Sequence, residues 1–241
     1  MITKFDILSG DALIHCQVSG QENAPALVLL HGNGEDLHIF DPQINHFSSD
    51  YHIVAIDTRA HGQSSRGTAP LDFQTFADDL FIVLNALKIN RAHILGFSDG
   101  AITALYAALV APERILSMVL IGVNYHPKGV RWIPRIQIRL CYLLKRKIEK
   151  EIWGLMIHQP KLTLDEIARI KNPTLVITGE YDLVSKRHND EINRAITGSR
   201  RLIVPKGDHF WMFTQPELLH QIVGDFLQES IAKESIRQSQ S

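Results

Sequence analysis

Short, fully apolar runs alternate with longer amphipathic stretches along most of this sequence. Ala26–Leu30 (ALVLL) is apolar at every position, as is typical of a strand covered on both faces of a sheet. Phe73–Leu87 instead repeats apolar residues at helical spacing. Because strands that alternate with helices favour a mostly parallel sheet between two layers of helices, this pattern predicts an α/β fold. A hairpin formed by Thr3–Leu8 and Ala12–Val18 adds an antiparallel edge.

Five more apolar runs complete the predicted strands: His52–Ile56, Ala92–Leu95, Leu116–Ile121, Thr174–Thr178 and Arg201–Val204. One segment breaks the alternation, because residues 125–172 contain no good strand and only helix-like pieces rich in arginine and lysine. We therefore expect a core domain made of residues 1–124 and 173–241. Residues 125–172 are expected to form a short helical lid over the carboxyl ends of the strands.

Charge and composition argue against several classes of function. The formal net charge is −1 over 241 residues, so the chain has no overall field that would gather nucleic acid, and none is expected as a partner. Cys16 and Cys141 lie in unrelated segments, which argues against a disulfide framework or a metal site. The sequence contains neither a signal-peptide pattern nor an apolar run long enough to span a membrane, so we expect no stable membrane insertion and a cytoplasmic location. The oligomeric state stays open.

The pentapeptide Gly96-Phe97-Ser98-Asp99-Gly100 matches the G-x-S-x-G pattern of a nucleophile elbow. Such a turn exposes the serine hydroxyl at the start of a helix, where the free backbone N–H groups favour developing negative charge. Here an apolar strand leads into the pattern and a helix rich in small residues follows it. The alternative interpretation is a glycine-rich turn that binds phosphate or only packs. The context favours Ser98 as a nucleophile.

A serine nucleophile needs a base to take its proton and an acid to orient that base. After an elbow of this kind the acid precedes the histidine in the chain. His209 follows the last strand through a short glycine-containing loop and is the predicted base. Asp182 and Glu180 both follow the preceding strand. Asp182 is favoured because the loop can carry it toward the histidine, and Glu180 stays an alternative.

Taken together, these motifs resemble those of the α/β-hydrolase superfamily. The resemblance rests on HGNG (His31–Gly34), DTRAHGQS (Asp57–Ser64), GFSDG, GEYD (Gly179–Asp182) and GDHF (Gly207–Phe210), which occur in the family's order. It implies an eight-stranded sheet, an esterase-like serine hydrolase with a Ser98–Asp182–His209 triad, and no cofactor. It also implies an oxyanion hole formed by the backbone N–H groups of Asn33 and Asp99.

The side chain of Asp99 has two interpretations. An acid directly after the nucleophile resembles the G-x-S-D-G form of relatives that hydrolyse amino-acid esters. The same carboxylate could cap the helix that follows it, and this interpretation is favoured because the position alone explains the residue.

The predicted substrate is a small or medium carboxylic ester, cleaved through an acyl-enzyme on Ser98. The same triad would serve an amidase, an amino-acid ester hydrolase or a C–C bond hydrolase, and a non-catalytic ligand-binding protein is a further alternative. The aromatic residues predicted to line the substrate pocket are Phe40, Phe97, Trp132, Trp153 and Phe210. The basic stretch Lys128–Arg139 is interpreted as a solvated face of the lid, in preference to a positive rim that attracts an acidic substrate or a membrane surface.

Overall fold

One mixed sheet organises the molecule, a computed structural model that describes residues 2–239, with side chains up to residue 234. Its eight strands are β1 (Thr3–Ser9), β2 (Ala12–Gly20), β3 (Ala26–Leu30), β4 (His52–Ile56), β5 (Ala92–Phe97), β6 (Ile115–Ile121), β7 (Thr174–Gly179) and β8 (Arg200–Val204). The central strands β3, β5 and β7 are buried at every position. This burial explains why β3 is a continuous apolar run and why apolar residues predominate in β5 and β7. The predicted eight-stranded, mostly parallel sheet is confirmed.

The strands lie in the order β1-β2-β4-β3-β5-β6-β7-β8. The pairs β1–β2 and β2–β4 are antiparallel, and the other neighbouring strands are parallel. Leu30 of β3 pairs with Gly96 of β5, and Phe97 pairs with Ile121 of β6. This register brings the carboxyl ends of the central strands level. The loops that follow β3, β5, β6, β7 and β8 therefore leave the sheet from the same edge.

The helices are α1 (Asp41–Phe47), α2 (Phe73–Ala86), α3 (Asp99–Val110), α4 (Trp132–Leu144), α5 (Lys147–His158), α6 (Leu164–Ile167), α7 (Lys186–Ala195), α8 (Trp211–Thr214) and α9 (Pro216–Ser239). Apolar residues of α2, α3 and α7 pack in one buried cluster, on one face of the sheet. Those of α1, α8 and α9 pack in a second cluster, on the opposite face. The prediction of helices on both faces is therefore confirmed.

Between β6 and β7 the chain forms α4, α5 and α6, which we call the intervening segment (residues 122–173). Its two longer helices pack against each other and contribute little to the core. Leu155 is the buried residue of α5, and α4 has none. Within the part of the chain that the structure describes, no helix is both long enough and apolar enough to cross a membrane.

Candidate active site

Ser98 stands at the tight turn between β5 and α3. Its backbone has φ of +51° and ψ of −113°, a conformation that costs free energy for a residue with a side chain. The backbone N–H of Ser98 donates to the carbonyl oxygen of Ile121 at 2.8 Å, which ties the turn to the neighbouring strand. The turn therefore holds Ser98 in a strained backbone conformation, and its side chain stays partly exposed.

His209 reaches Ser98 from the loop after β8. Its Nε2 lies 3.2 Å from Ser98 Oγ, and its Nδ1 lies 2.7 Å from Oδ1 of Asp182. Asp182 is 3% exposed. Its carboxylate also accepts hydrogen bonds from the backbone N–H groups of Val184 at 3.0 Å and Gly179 at 3.3 Å. A carboxylate, an imidazole and a hydroxyl thus form one continuous hydrogen-bonded line.

The second carboxylate of this loop has a different partner. Glu180 Oε2 accepts a hydrogen bond from the backbone N–H of Lys206 at 2.9 Å. The carboxylate that contacts His209 is that of Asp182. The two carboxylates of this loop therefore have different partners.

Asn33 and Asp99 lie next to each other at the carboxyl ends of β3 and β5. The Asn33 side-chain amide donates to Oδ2 of Asp99 at 2.9 Å and to the carbonyl oxygen of Ile152 in α5 at 2.8 Å. Asp99 is the first residue of α3, where backbone N–H groups have no partner within the helix. Asn33 therefore links the elbow to the intervening segment.

The favoured interpretation of the Asp99 side chain as a helix cap is wrong. Ser98 occupies the N-cap position of α3, and no side-chain hydrogen bond caps this helix. The Asp99 carboxylate instead accepts a hydrogen bond from the Asn33 side-chain amide, and Asp99 lines the cavity beside Ser98. Burial raises the pKa of the Asp99 carboxyl to about 6, and the hydrogen bond from Asn33 opposes part of that rise.

Sequence reasoning missed Glu35, a further acid at this edge of the sheet. Its Oε2 accepts a hydrogen bond from the backbone N–H of Gly32 at 2.9 Å, inside the loop that carries Asn33. Burial raises the pKa of the Glu35 carboxyl to about 7, although the Gly32 hydrogen bond and the nearby His209 both lower it. The available signal was an acid that directly follows the glycine pair of HGNG.

A narrow cavity of about 50 Å³ lies beside Ser98. Its lining is mostly aliphatic and comes from both the core and the intervening segment: Ser98, Asp99, Ile102, Asn124, Val130, Ile138, Met156, Gln159, Leu183, Val184 and His209. A lining that combines a few polar groups with aliphatic side chains is suited to a small, largely apolar ligand.

The five aromatic residues predicted for the pocket lie outside this lining. Phe97 and Phe210 pack against the His209 ring, with centroid distances of 5.1 Å and 5.2 Å. Phe40 is fully buried in the core, and Trp132 is 66% exposed on α4. The ring of Trp153 lies under the ammonium group of Lys145 at 5.3 Å. Phe97 and Phe210 therefore support the imidazole rather than the ligand space.

Gly122, directly after β6, makes room for the imidazole. Its φ is +63°, and a Cβ atom at this position would lie 2.6 Å from Cε1 of His209. Contacts this short do not occur between real Cβ atoms and rings, so the ring would have to move. Sequence reasoning did not single out this residue.

We expect Gly122→Ala to lower kcat/KM by about 100-fold, because a displacement of roughly 1 Å in a reacting group has an effect of that size. Gly10→Ala is the matched control. Gly10 has φ of +62° with open space around the position of a Cβ. Both variants should lose about 1 to 2 kcal/mol of stability through backbone strain. Steady-state kinetics and thermal unfolding of the two variants check this, and equal activity would contradict the steric role of Gly122.

Comparison with known proteins identifies several relatives. A family model described as the alpha/beta hydrolase fold matches residues 25–140. Serine hydrolase BPHL of Homo sapiens is 30% identical over 94% of this chain and 87% of that protein. Carboxylesterase YbfK of Bacillus subtilis is 26% identical over 88% of this chain and 83% of that protein. The crystal structure of the enol-lactonase from Burkholderia xenovorans LB400 superposes with a TM-score of 0.79 at 23% identity, over 94% of this chain and 100% of that one.

Proposed function

The chain belongs to the α/β-hydrolase family and is a hydrolase; from this premise we propose that it cleaves carboxylic esters through a covalent intermediate on Ser98. The observation that carries the proposal is the hydrogen-bonded line from Asp182 through His209 to Ser98, with distances of 2.7 Å and 3.2 Å. Relatives named as a carboxylesterase and an enol-lactonase support the choice of an ester as substrate.

In the proposed reaction, Ser98 Oγ attacks the ester carbonyl carbon while His209 Nε2 takes the hydroxyl proton. The protonated imidazole then gives this proton to the departing alcohol, which leaves an acyl group on Ser98. Water attacks the acyl-enzyme with His209 again as base, and the carboxylic acid departs. Asp182 holds the imidazole in the tautomer that leaves Nε2 free to accept, and it stabilises the imidazolium form.

The backbone N–H groups of Asn33 and Asp99 are the proposed oxyanion hole. Both residues lie at the carboxyl ends of neighbouring strands, and their side chains are hydrogen-bonded to each other at 2.9 Å. Each such donor lowers the barrier by about 3 kcal/mol when it is aimed at the developing oxyanion.

Residues 125–172 are the proposed lid over a core of residues 1–124 and 173–241. Two contacts support this division: Asn33 binds the carbonyl oxygen of Ile152, and Ile138, Met156 and Gln159 line the cavity beside Ser98. The cavity beside Ser98 is narrow, at about 50 Å³. We therefore infer that the lid moves away from the elbow when substrate enters.

A fluorophosphonate probe tests the proposal directly, because it phosphonylates an activated serine with loss of fluoride. We expect one equivalent of probe on Ser98, located by mass spectrometry of peptides, and a proportional loss of p-nitrophenyl butyrate hydrolysis. A folded protein that neither reacts with the probe nor cleaves the ester would instead be a ligand-binding member of the family.

The position of Asp99 favours one narrower candidate, an ester whose acyl part carries an ammonium group. Asp99 lines the cavity beside Ser98 and is 8% exposed. A buried carboxylate next to the ligand space attracts a cation once it is ionised, since the low dielectric there strengthens the interaction.

We expect the preference for valine methyl ester over its uncharged isostere methyl 2,3-dimethylbutanoate to increase with pH. The pKa of Asp99 is raised to about 6, so its carboxyl is neutral below that pH and charged above it. The ratio of the two kcat/KM values should rise by about tenfold between about pH 5 and pH 7, where the substrate ammonium remains largely charged. The ratio removes any effect of pH that the two esters share. In Asp99→Asn the ratio should stay constant, and a rise that persists there would refute the role of Asp99.

A further inference from the structure

Helix α4 carries a row of large apolar side chains on its outer surface. They are exposed by 49% to 82%: Trp132, Ile133, Ile136, Leu140, Leu143 and Leu144. Their spacing of three or four residues places them on one side of the helix. No residue of α4 is buried. Within the described residues, this row is therefore not covered by another part of the fold. We call these six side chains the outer stripe.

The outer stripe faces away from the proposed catalytic centre. Ile138 is the α4 residue that lines the cavity beside Ser98. It stands two positions from both Ile136 and Leu140, which at 3.6 residues per turn puts it on the other side of the helix. The outer stripe is therefore not a wall of the substrate cavity.

A group of cationic side chains lies beside α4. Arg135 and Arg139 of α4 line an open cavity of about 600 Å³ together with Lys128 and Lys161. The lining of this cavity contains no carboxylate. None of the four cationic side chains forms an ion pair with a residue whose side chain the structure describes. One surface thus combines exposed apolar area with uncompensated positive charge.

The combination of apolar area and positive charge favours some binding partners of this surface over others. Exposure of the outer stripe to water is unfavourable, and large contiguous apolar patches on a protein surface usually mark a binding site. A second copy docked through the same surface would meet it by two-fold symmetry. Its four cations would then come close to the four cations of the first copy. An anionic lipid surface offers acyl chains to the stripe and phosphate groups to the cations.

We propose that the outer face of α4 binds the surface of a phospholipid membrane that contains anionic lipids. The helix lies in the plane of the membrane, with the outer stripe at the boundary of the acyl chains. Arg135, Arg139, Lys128 and Lys161 contact the lipid phosphates. This is binding at the surface and requires no spanning helix.

Co-sedimentation with vesicles tests the proposal on the whole protein. The wild-type protein should bind vesicles of phosphatidylcholine mixed with phosphatidylglycerol, and it should bind pure phosphatidylcholine much less. The triple variant Leu140→Ser/Leu143→Ser/Leu144→Ser should bind mixed vesicles about 100-fold more weakly, because its apolar contact with the acyl chains is lost. The double variant Arg135→Gln/Arg139→Gln should bind them roughly 10- to 30-fold more weakly.

Two matched variants control for general changes in polarity and charge. Leu8→Ser/Leu13→Ser replaces apolar residues that are 65% and 46% exposed on the β1–β2 hairpin. Lys4→Gln/Arg194→Gln removes two positive charges from exposed positions on β1 and α7. Both should bind mixed vesicles like the wild-type protein, and circular dichroism should give native unfolding temperatures for all variants.

Three outcomes would overturn the proposal. The first is that the wild-type protein does not bind the mixed vesicles. The second is that the α4 variants bind them as well as the two controls do. The third is a wild-type dimer at micromolar concentration that the triple leucine variant dissociates, detected by analytical ultracentrifugation, because the outer stripe would then contact a second copy of the chain.

Discussion

The Ser98→Ala variant is expected to hydrolyse p-nitrophenyl butyrate with a kcat about 10⁶-fold below that of the wild-type protein. Without Oγ there is no acyl-enzyme, and the remaining rate comes from substrate binding and the oxyanion donors alone. This residual rate does not depend on His209, because its 3.2 Å contact is to the missing oxygen. A further His209→Ala substitution should therefore change the rate of the Ser98→Ala variant by less than about threefold, since groups that act as one unit are not additive.

The measurement must separate lost chemistry from lost structure. Alanine at position 98 keeps the strained backbone conformation with φ of +51°. The free energy of unfolding should therefore change by less than about 1 kcal/mol. Ser49→Ala is a suitable control, since the Ser49 hydroxyl is exposed and donates to the carboxylate of the neighbouring Asp50. Ester turnover by folded Ser98→Ala at the wild-type rate would refute the covalent mechanism.

The sheet could be predicted from the sequence because each central strand can be recognised from its own run of residues. Ala26–Leu30 is buried on both faces and apolar throughout, and Ala92–Phe97 is buried at every position and largely apolar. The same parallel order places the elbow and the loops after β7 and β8 at one edge. That is why Ser98, Asp182 and His209, far apart in sequence, could be chosen by topology and lie in hydrogen-bond contact in the structure.

The ligand space could not be predicted in the same way, because it depends on how the intervening segment docks. Trp132 and Ile138 are both apolar residues of one helix, yet Trp132 is exposed and Ile138 lines the cavity. Gly122 faces His209, which is 87 positions later in the chain, and no local pattern links the two. The Asp99 carboxylate accepts a hydrogen bond from the side-chain amide of Asn33, which lies in another loop. This contact takes the place of the cap on α3 that the position of Asp99 had favoured.

Asp182 and Glu180, the two acids after β7, should differ strongly in their effect on catalysis. Asp182→Asn is expected to lower kcat by about 10⁴-fold. In the native site Nδ1 of His209 donates to the Asp182 carboxylate at 2.7 Å. An amide at position 182 can donate its own N–H to Nδ1. It would then stabilise the tautomer that carries its proton on Nε2, which cannot accept the Ser98 proton. The amide also removes the negative charge that stabilises the imidazolium form.

Glu180→Gln is the matched test, because it makes the same chemical change two residues away. The Glu180 side chain accepts the Lys206 backbone N–H, and an amide oxygen can accept that bond as well. We therefore expect its kcat to stay within about twofold of the wild-type value, since Glu180 is partly exposed and bonds to the Lys206 backbone rather than to His209. Steady-state kinetics on p-nitrophenyl butyrate at one pH compares the two variants. The opposite ranking, with Glu180→Gln inactive and Asp182→Asn active, would transfer the role of orienting acid to Glu180. Equal, small losses in both would mean that His209 works without a carboxylate, and the hydrogen-bonded line from Asp182 to Ser98 would then be structural.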